Sequence, residues 1–537
     1  MRHQYLHLLL LCTVHIHSFA QPVIESQKTI GGNSSDFLTS MCLTRDSGVV
    51  LGGSSYSGIS GEKTQNSRGQ QDYWVVKLNS LNQVQWNKTI GGNDGDYLQS
   101  VFPTTDGGYI LGGYSLSTIS GEKTENGNGD ADYWIVKLNA AGNVQWDKTI
   151  GGSKGDYLKT VQQTGDGGYI AGGYSYSNAS GDKTENTRGN SAPDYWIVKL
   201  NSKGNVLWDK TIGGDASDFF NALQQTSDGG YILGGSSYSG ISGEKTGSNR
   251  GFAFTDFWVI KLDAAGNIQW DKTIGGSTND NLTALQQTAD GGYILGGSSQ
   301  SDISGEKTEN SRGFTDYWLV KLNMQGNIQW DKTIGGSAGD GLTALQQTRD
   351  GGYIAGGTSS SGISGEKTQP RRGPNDYWVI NLNGNGSLQW DKTLGGIGSD
   401  DLHSVKEVGR NRYIVGGTSQ SGISVDKTEP SRGYADYWMV RLNYNPPAIA
   451  TVAEAQHNYT LNDNSQSFSI FPNPAKNILH IQTTGKSTFI LTNQSGKVLL
   501  TKAITGKGEI NIAQLPAGLY YVKNTATGVV QKVVVGK

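Results

Sequence analysis

The chain is poor in the residues on which most catalytic and metal chemistry depends. Its 537 residues include 2 Cys and 7 His. Cys12 lies in the first 20 residues and Cys42 stands alone after them, so the chain beyond that stretch cannot form an intramolecular disulfide. His3, His7, His15 and His17 share the same first stretch, leaving His403, His457 and His480 far apart in sequence. That scatter argues against a Ser-His-Asp triad or a His-rich metal site. Proline is scarce, 11 in all, which excludes a collagen-like or proline-rich chain. Charged residues make up only 17% and the formal net charge is −3, so nothing in the charge points to nucleic acid. No segment approaches the ~18 consecutive apolar residues of a membrane-spanning helix. The Ala/Glu/Lys/Leu bias of long helices and coiled coils is also missing.

Glycine is what the chain has most of, with 78 residues. Combined with abundant Tyr, Trp, Thr and Val, it predicts β-structure with many tight turns. Residues 1–20 read as a secretory signal: Arg2 supplies the positive end, Leu8–Leu11 the apolar centre, and Ser18-Phe19-Ala20 a small-x-small cleavage site.

Internal repetition dominates the rest. Lys-Thr-Ile-Gly-Gly begins at Lys28, Lys88, Lys148, Lys210, Lys272 and Lys332, and Lys-Thr-Leu-Gly-Gly at Lys392. The spacing is 60 or 62 residues throughout. Asp-Tyr/Phe-Trp begins seven times, at Asp72, Asp132, Asp194, Asp256, Asp316, Asp376 and Asp436. A third motif ends in Trp86, Trp146, Trp208, Trp270, Trp330 and Trp390, only six times, and these two motifs hold all 13 Trp. Each unit has four strand-like runs, represented in the fifth copy by Asn281–Thr288, Tyr293–Ser298, Asp316–Asn323 and Ile328–Ile334. A long polar loop, Ser301–Thr315, separates the second run from the third. Four short strands per repeat, seven repeats and no helical period predict an all-β, seven-bladed β-propeller over residues 21–444. The missing seventh Trp strand and the unpartnered run Val23–Ile30 complement each other. Residues 23–30 are therefore expected to complete the last blade beside Asp436–Asn443 and close the ring, which removes its edges. The unit resembles propeller repeats of secreted bacterial proteins, and loosely the kelch repeat in its hydrophobic-Gly-Gly strand.

Composition shifts after Asn443. Residues 445–466 read as a linker, and residues 467–537 as a small β-sandwich with Gly turns. The latter carry eight Lys, one acid (Glu509) and no Arg, a net +7, which leaves residues 21–444 near −9. Pro472-Asn473-Pro474, Ser495-Gly496-Lys497, Gly518-Leu519-Tyr520 and the basic, valine-rich end resemble the type A C-terminal sorting domain of the type IX secretion system of Bacteroidetes. That resemblance implies passage across the outer membrane, partnership with the secretion machinery through residues 467–537, and surface attachment or release.

One propeller face is expected to carry the blade-to-blade connections and the long polar loops, where binding usually lies. An Asp follows the Gly-Gly pair in every unit: Asp36, Asp96, Asp156, Asp218, Asp280, Asp340 and Asp400. Seven carboxylates near the channel mouth would suit calcium, which takes oxygen ligands. The competing and favoured reading is that each Asp orders its own turn. An acid-Lys-Thr triplet and a following Arg recur in the polar loops, as Glu62 and Arg68 in the first; they could form a charged rim for a glycan or protein, but the favoured reading is blade-to-blade ion pairs that order the loops. Features shared by all blades read as scaffold, so asymmetry is the guide to a site. The third and fourth loops are longer, with Asn190-Ser191-Ala192-Pro193 and Gly251-Phe252-Ala253-Phe254. Phe252, Phe254 and the adjacent Arg250 are the ligand-binding candidates. The functional expectation is a secreted or cell-surface binding protein for a glycan or a protein. The alternative is a propeller enzyme, a glycan hydrolase or lyase, but near-identical blades offer no unique acid pair for it.

Overall fold

The computed structural model describes residues 21–189, 192–446, 468–493, 497–527 and 529–536. The secretory leader, most of the 445–466 linker, Asn190-Ser191 and Ser495-Gly496 lie outside the described residues. Contacts divide the chain into two compact units, with the break between positions 448 and 449.

The first unit contains seven four-stranded antiparallel sheets. In the fifth, strands Asp280–Gln287, Tyr293–Ser299, Asp316–Leu322 and Ile328–Ile334 lie side by side in chain order. The first of these begins one residue earlier than the sequence pattern suggests, because Asp280 itself pairs with Ser299. The innermost strands of successive sheets contact one another in a closed circle. The last sheet takes its outer strand from the start of the chain. Val23–Ile30 pairs antiparallel with Asp436–Asn443, with Ile30 opposite Tyr437 and Thr29 opposite Trp438. This is a seven-bladed β-propeller closed by its N-terminal strand.

The third strand of each blade is buried on both faces; all seven residues of Asp316–Leu322 are buried. Its alternation sorts side chains between two neighbours rather than between core and water. Trp318, Val320 and Leu322 pack on Phe257 and Val259 of the preceding blade. Tyr317 and Leu319 pack on Trp378, Ile380 and Leu382 of the next. Each Tyr ring leans on the next Trp, as Tyr317 does on Trp378 with centroids 4.9 Å apart, and its hydroxyl donates to that Trp's carbonyl at 2.9 Å. The series ends with Tyr437 donating to Trp74 at 3.0 Å, across the closure.

The Gly-Gly pair of the second strand is what admits this contact. A Cβ on Gly173 would lie 2.6 Å from the Tyr133 hydroxyl and 2.1 Å from the Tyr157 carbonyl oxygen. A Cβ on Gly172 would lie 2.5 Å from the Phe220 ring. Blades approach too closely there for any side chain.

In the second unit, strands Phe468–Phe471, Ile478–Asn493, Val498–Asn511, Gly518–Asn524 and Val530–Val535 form one five-stranded sheet. The 16-residue strand Ile478–Asn493 pairs with three others, so the expected sandwich is continuous through it. Phe468, Leu479, Ile481, Phe489, Ile510, Val522 and Val533 fill its core. Among the described residues no helix is long and apolar enough to cross a membrane.

Candidate functional site

The seven repeated Asp residues open the innermost strands and are fully buried. Each Oδ2 accepts the backbone N–H of the second glycine four positions earlier, at 2.6–2.8 Å. Each also accepts a Ser hydroxyl from its own blade, Ser57 on Asp36 through Ser421 on Asp400, at 2.9–3.1 Å. Burial pushes the Asp96, Asp156, Asp218 and Asp400 carboxyls up to about 6. Facing them across the junctions are the Asp residues that open the third strands, and burial lifts Asp194 and Asp256 among these to about 7. One buried lysine per blade lies electrostatically between the two kinds, as Lys63 does for Asp36 and Asp72; burial lowers each of these ammonium groups, Lys63 to about 8. The carboxylates thus sit each in its own junction. Among the described residues no three His, Cys, Asp or Glu gather as a metal-binding group.

In the polar loops the repeated Arg and acid meet across blades. Arg68–Glu122, Arg188–Glu244, Arg312–Glu366 and Arg372–Asp426 span 2.5–3.1 Å. Arg432–Glu62, at 2.9 Å, spans the closure, while in the second loop Asn128 replaces Arg and donates to Asp182 Oδ2 at 3.2 Å. Arg250 belongs to this set: its Nε donates to Glu306 Oε2 at 2.9 Å. Beside it Phe252 is 96% exposed, while Phe254 is 36% exposed and its carbonyl accepts from Asn249 at 2.9 Å. Arg250 is therefore tied to the scaffold, and Phe252 alone of the three projects freely.

The central channel encloses about 460 Å3. Its lining comes from all seven innermost strands and contains no carboxylate. At the third position after each Asp, four side chains bridge to the next blade: Thr39, Asn221, Thr283 and Thr343 donate to leucine carbonyls at 2.6–2.8 Å. Gln99, Lys159 and His403 occupy the other three places and make no such bridge. The Lys159 ammonium lies 5.7 Å from the Tyr174 ring centroid, and Lys406 lines the channel further along. Both ammonium groups are lowered by burial, as is the His403 imidazole.

Where the innermost strands begin, the channel mouth is lopsided. The residue after each Asp is Phe37, Tyr97, Tyr157 and Phe219 in blades 1–4, but Asn281, Gly341 and Asp401 in blades 5–7. Tyr114 and Tyr174 add second-strand rings, where the other blades place Ser or Thr. The rings form a continuous series. Tyr97 stacks on Tyr114 at 4.6 Å, Tyr114 meets Tyr157 at 5.0 Å, Tyr157 stacks on Tyr174 at 5.3 Å, and Tyr174 meets Phe219 at 5.4 Å. In blade 1 Phe37 and Tyr56 form a separate edge-on pair with centroids 6.4 Å apart, 38% and 41% exposed, with Tyr56 within electrostatic reach of Tyr97. The repeat reading passed over these residues because they vary from copy to copy. That variation, aromatic in four units, polar in two and glycine in one, was the available signal.

The first unit is thus a β-propeller with one distinctive mouth, and the second is a separate β-domain. Residues 469–536 match the family described as "Secretion system C-terminal sorting domain". The chain therefore joins a propeller to a type IX sorting domain, which implies export. Residues of the chain are 28% identical over 139 positions to the regulatory protein FlaEY of Caulobacter vibrioides, covering 25% of this chain and 15% of that protein. Among solved structures, the Neurospora crassa Pan2 WD40 domain is similar at 9% identity and a TM-score of 0.41, over 80% of this chain and 99% of that one. Sqt1 from Chaetomium thermophilum is similar at 11% identity and a TM-score of 0.38, over 78% and 100%.

Proposed function

We propose that the protein is exported through the type IX machinery and acts outside the cell as a binding protein, with the channel-mouth face of the propeller holding a glycan or a protein. The observation that carries this reading is the break in sevenfold repetition at that mouth. A scaffold role would be needed equally in all blades, whereas Tyr97, Tyr114, Tyr157 and Tyr174 occur only on one side. Each of the seven buried Asp residues accepts hydrogen bonds within its own junction through Oδ2, which supports a turn-ordering role over a shared site. On this reading residues 1–20 are removed on export, 21–444 bind, 445–466 link and 467–537 direct secretion.

The test is a thermal-shift screen of the full exported chain against a glycan panel, because a ligand of the folded state raises the melting temperature. At least one glycan is expected to do so. Release of reducing ends from any polysaccharide would instead make the protein a glycan hydrolase or lyase. Calcium added after chelation is the parallel arm. A shift there would assign the Asp ring as a cation site rather than a set of turn-ordering residues.

A further inference from the structure

The mouth combines three features that scaffold does not need together. Half-buried, mutually packed tyrosine rings line one side. On the other side stand Asn281 over blade 5 and the Asp401 carboxylate over blade 7, which would repel an anion from that side and leave the aromatic side to it. Between them is a channel without carboxylates, in a propeller near −9 overall. Lys159 sits where four other blades place a bridging side chain, and its ammonium lies over the Tyr174 ring and, among the described residues, forms no ion pair with an acid. A low-dielectric recess lined by one sign of charge concentrates ions of the opposite sign.

We infer that the channel mouth over blades 1–4 is a subsite for an acidic sugar, whose ring lies against the Tyr56–Tyr97–Tyr157 arc and whose carboxylate is held by the Lys159 ammonium. The C–H face of a sugar ring matches the electron-rich face of an aromatic ring. The ring hydroxyls find the tyrosine hydroxyls and the polar rim. An ammonium on a carboxylate gives a charge-assisted bond, stronger than a neutral one. An apolar ligand would leave the Lys159 charge unmatched, and a neutral glycan would use the arc but not the lysine. This assignment rests on the binding-protein reading above and deepens it.

Affinity electrophoresis of the full exported chain tests it. The gels carry polygalacturonate, alginate or hyaluronan as acidic probes, and methyl-esterified galacturonan as the neutral counterpart of the first. Wild type should be retarded by at least one acidic polymer. Lys159→Met should weaken that retardation about tenfold, a loss of about one charge-assisted contact, and leave any binding of the methyl ester unchanged. Tyr56→Ala and Tyr157→Ala should weaken both. Tyr56 is the more exposed, so its variant keeps the test open if Tyr157→Ala does not fold, with circular dichroism reporting the fold. Three results overturn the assignment: no retardation by any acidic polymer, retardation by the neutral polymer alone, or acidic retardation untouched by all three substitutions. The last would leave a glycan-binding protein with its site elsewhere. A flat response in the wider thermal-shift screen as well would remove glycan binding altogether.

Discussion

Asp218 illustrates a buried carboxylate at the residue scale. It accepts the Gly214 N–H at 2.8 Å and the Ser239 hydroxyl at 3.0 Å, so removing it strands two buried donors. Asp218→Ala should cost about 3 kcal/mol, read by urea unfolding, while Asp218→Asn, which keeps an acceptor oxygen without the charge, should cost much less. Titration gives a second expectation. A carboxyl raised in the folded state binds its proton more tightly folded than unfolded, so its contribution to stability grows as pH falls from about 7 toward the ordinary value of 3.8. Asp106, Asp166, Asp228 and Asp290 act the other way. Burial raises them, but the hydrogen bonds of neighbouring Thr and Lys outweigh it and hold them at about 2. Their contribution is lost as pH falls from 3.8 toward 2. The melting temperature should therefore rise from pH 8 to a maximum at about pH 4 to 5 and fall below it. A maximum above pH 7 would show that the junction carboxyls are not raised.

Among elements, the repeated strands carry the blade contacts. The Tyr-to-Trp hydroxyl bond recurs at six junctions and is missing at the one where Phe257 faces Trp318. Phe257→Tyr should add it and stabilise the propeller by about 1 kcal/mol in denaturant unfolding. A loss would mean that this junction is too tight for the hydroxyl. Strand Val23–Ile30 is the element on which closure depends. Deleting residues 21–30 exposes the outer edge of Asp436–Asn443 and removes the Ile30 contact with Met439 and Tyr437. The melting temperature of the whole propeller should drop in consequence, and an unchanged value would mean that the ring holds without it. That the strands exist was legible from runs such as Tyr-Ile-Leu-Gly-Gly. Why the two glycines recur was not, because the Tyr133 hydroxyl that forbids a Cβ on Gly173 lies in the blade before.

For the whole molecule, charge and sorting divide along the chain. The propeller is near −9 and residues 467–537 are +7, and the basic end coincides with the sorting-domain match at 469–536. Truncation at residue 466 should leave the protein in the periplasm, as cell fractionation would show. Normal surface display or release would mean that the tail is dispensable for export. Part of the candidate site was also invisible along the chain. Phe252 stood out as a loop anomaly, whereas Tyr97, Tyr114 and Tyr157 looked like ordinary strand residues, and Arg250, both a ligand candidate and a member of the expected ion-pair series, is tied to Glu306 of the next blade.

The sequence by itself determined seven repeats, four strands in each, the complementary strand at Val23–Ile30 and the sorting tail, because each is written in local periodicity or in contiguous motifs. Only the tertiary structure decided which residues act together. The seven Asp residues, equivalent in sequence, are kept apart because each is absorbed by hydrogen bonds in its own junction. The mouth tyrosines, unremarked one by one, become a single surface because ring closure sets side by side residues about 60 positions apart.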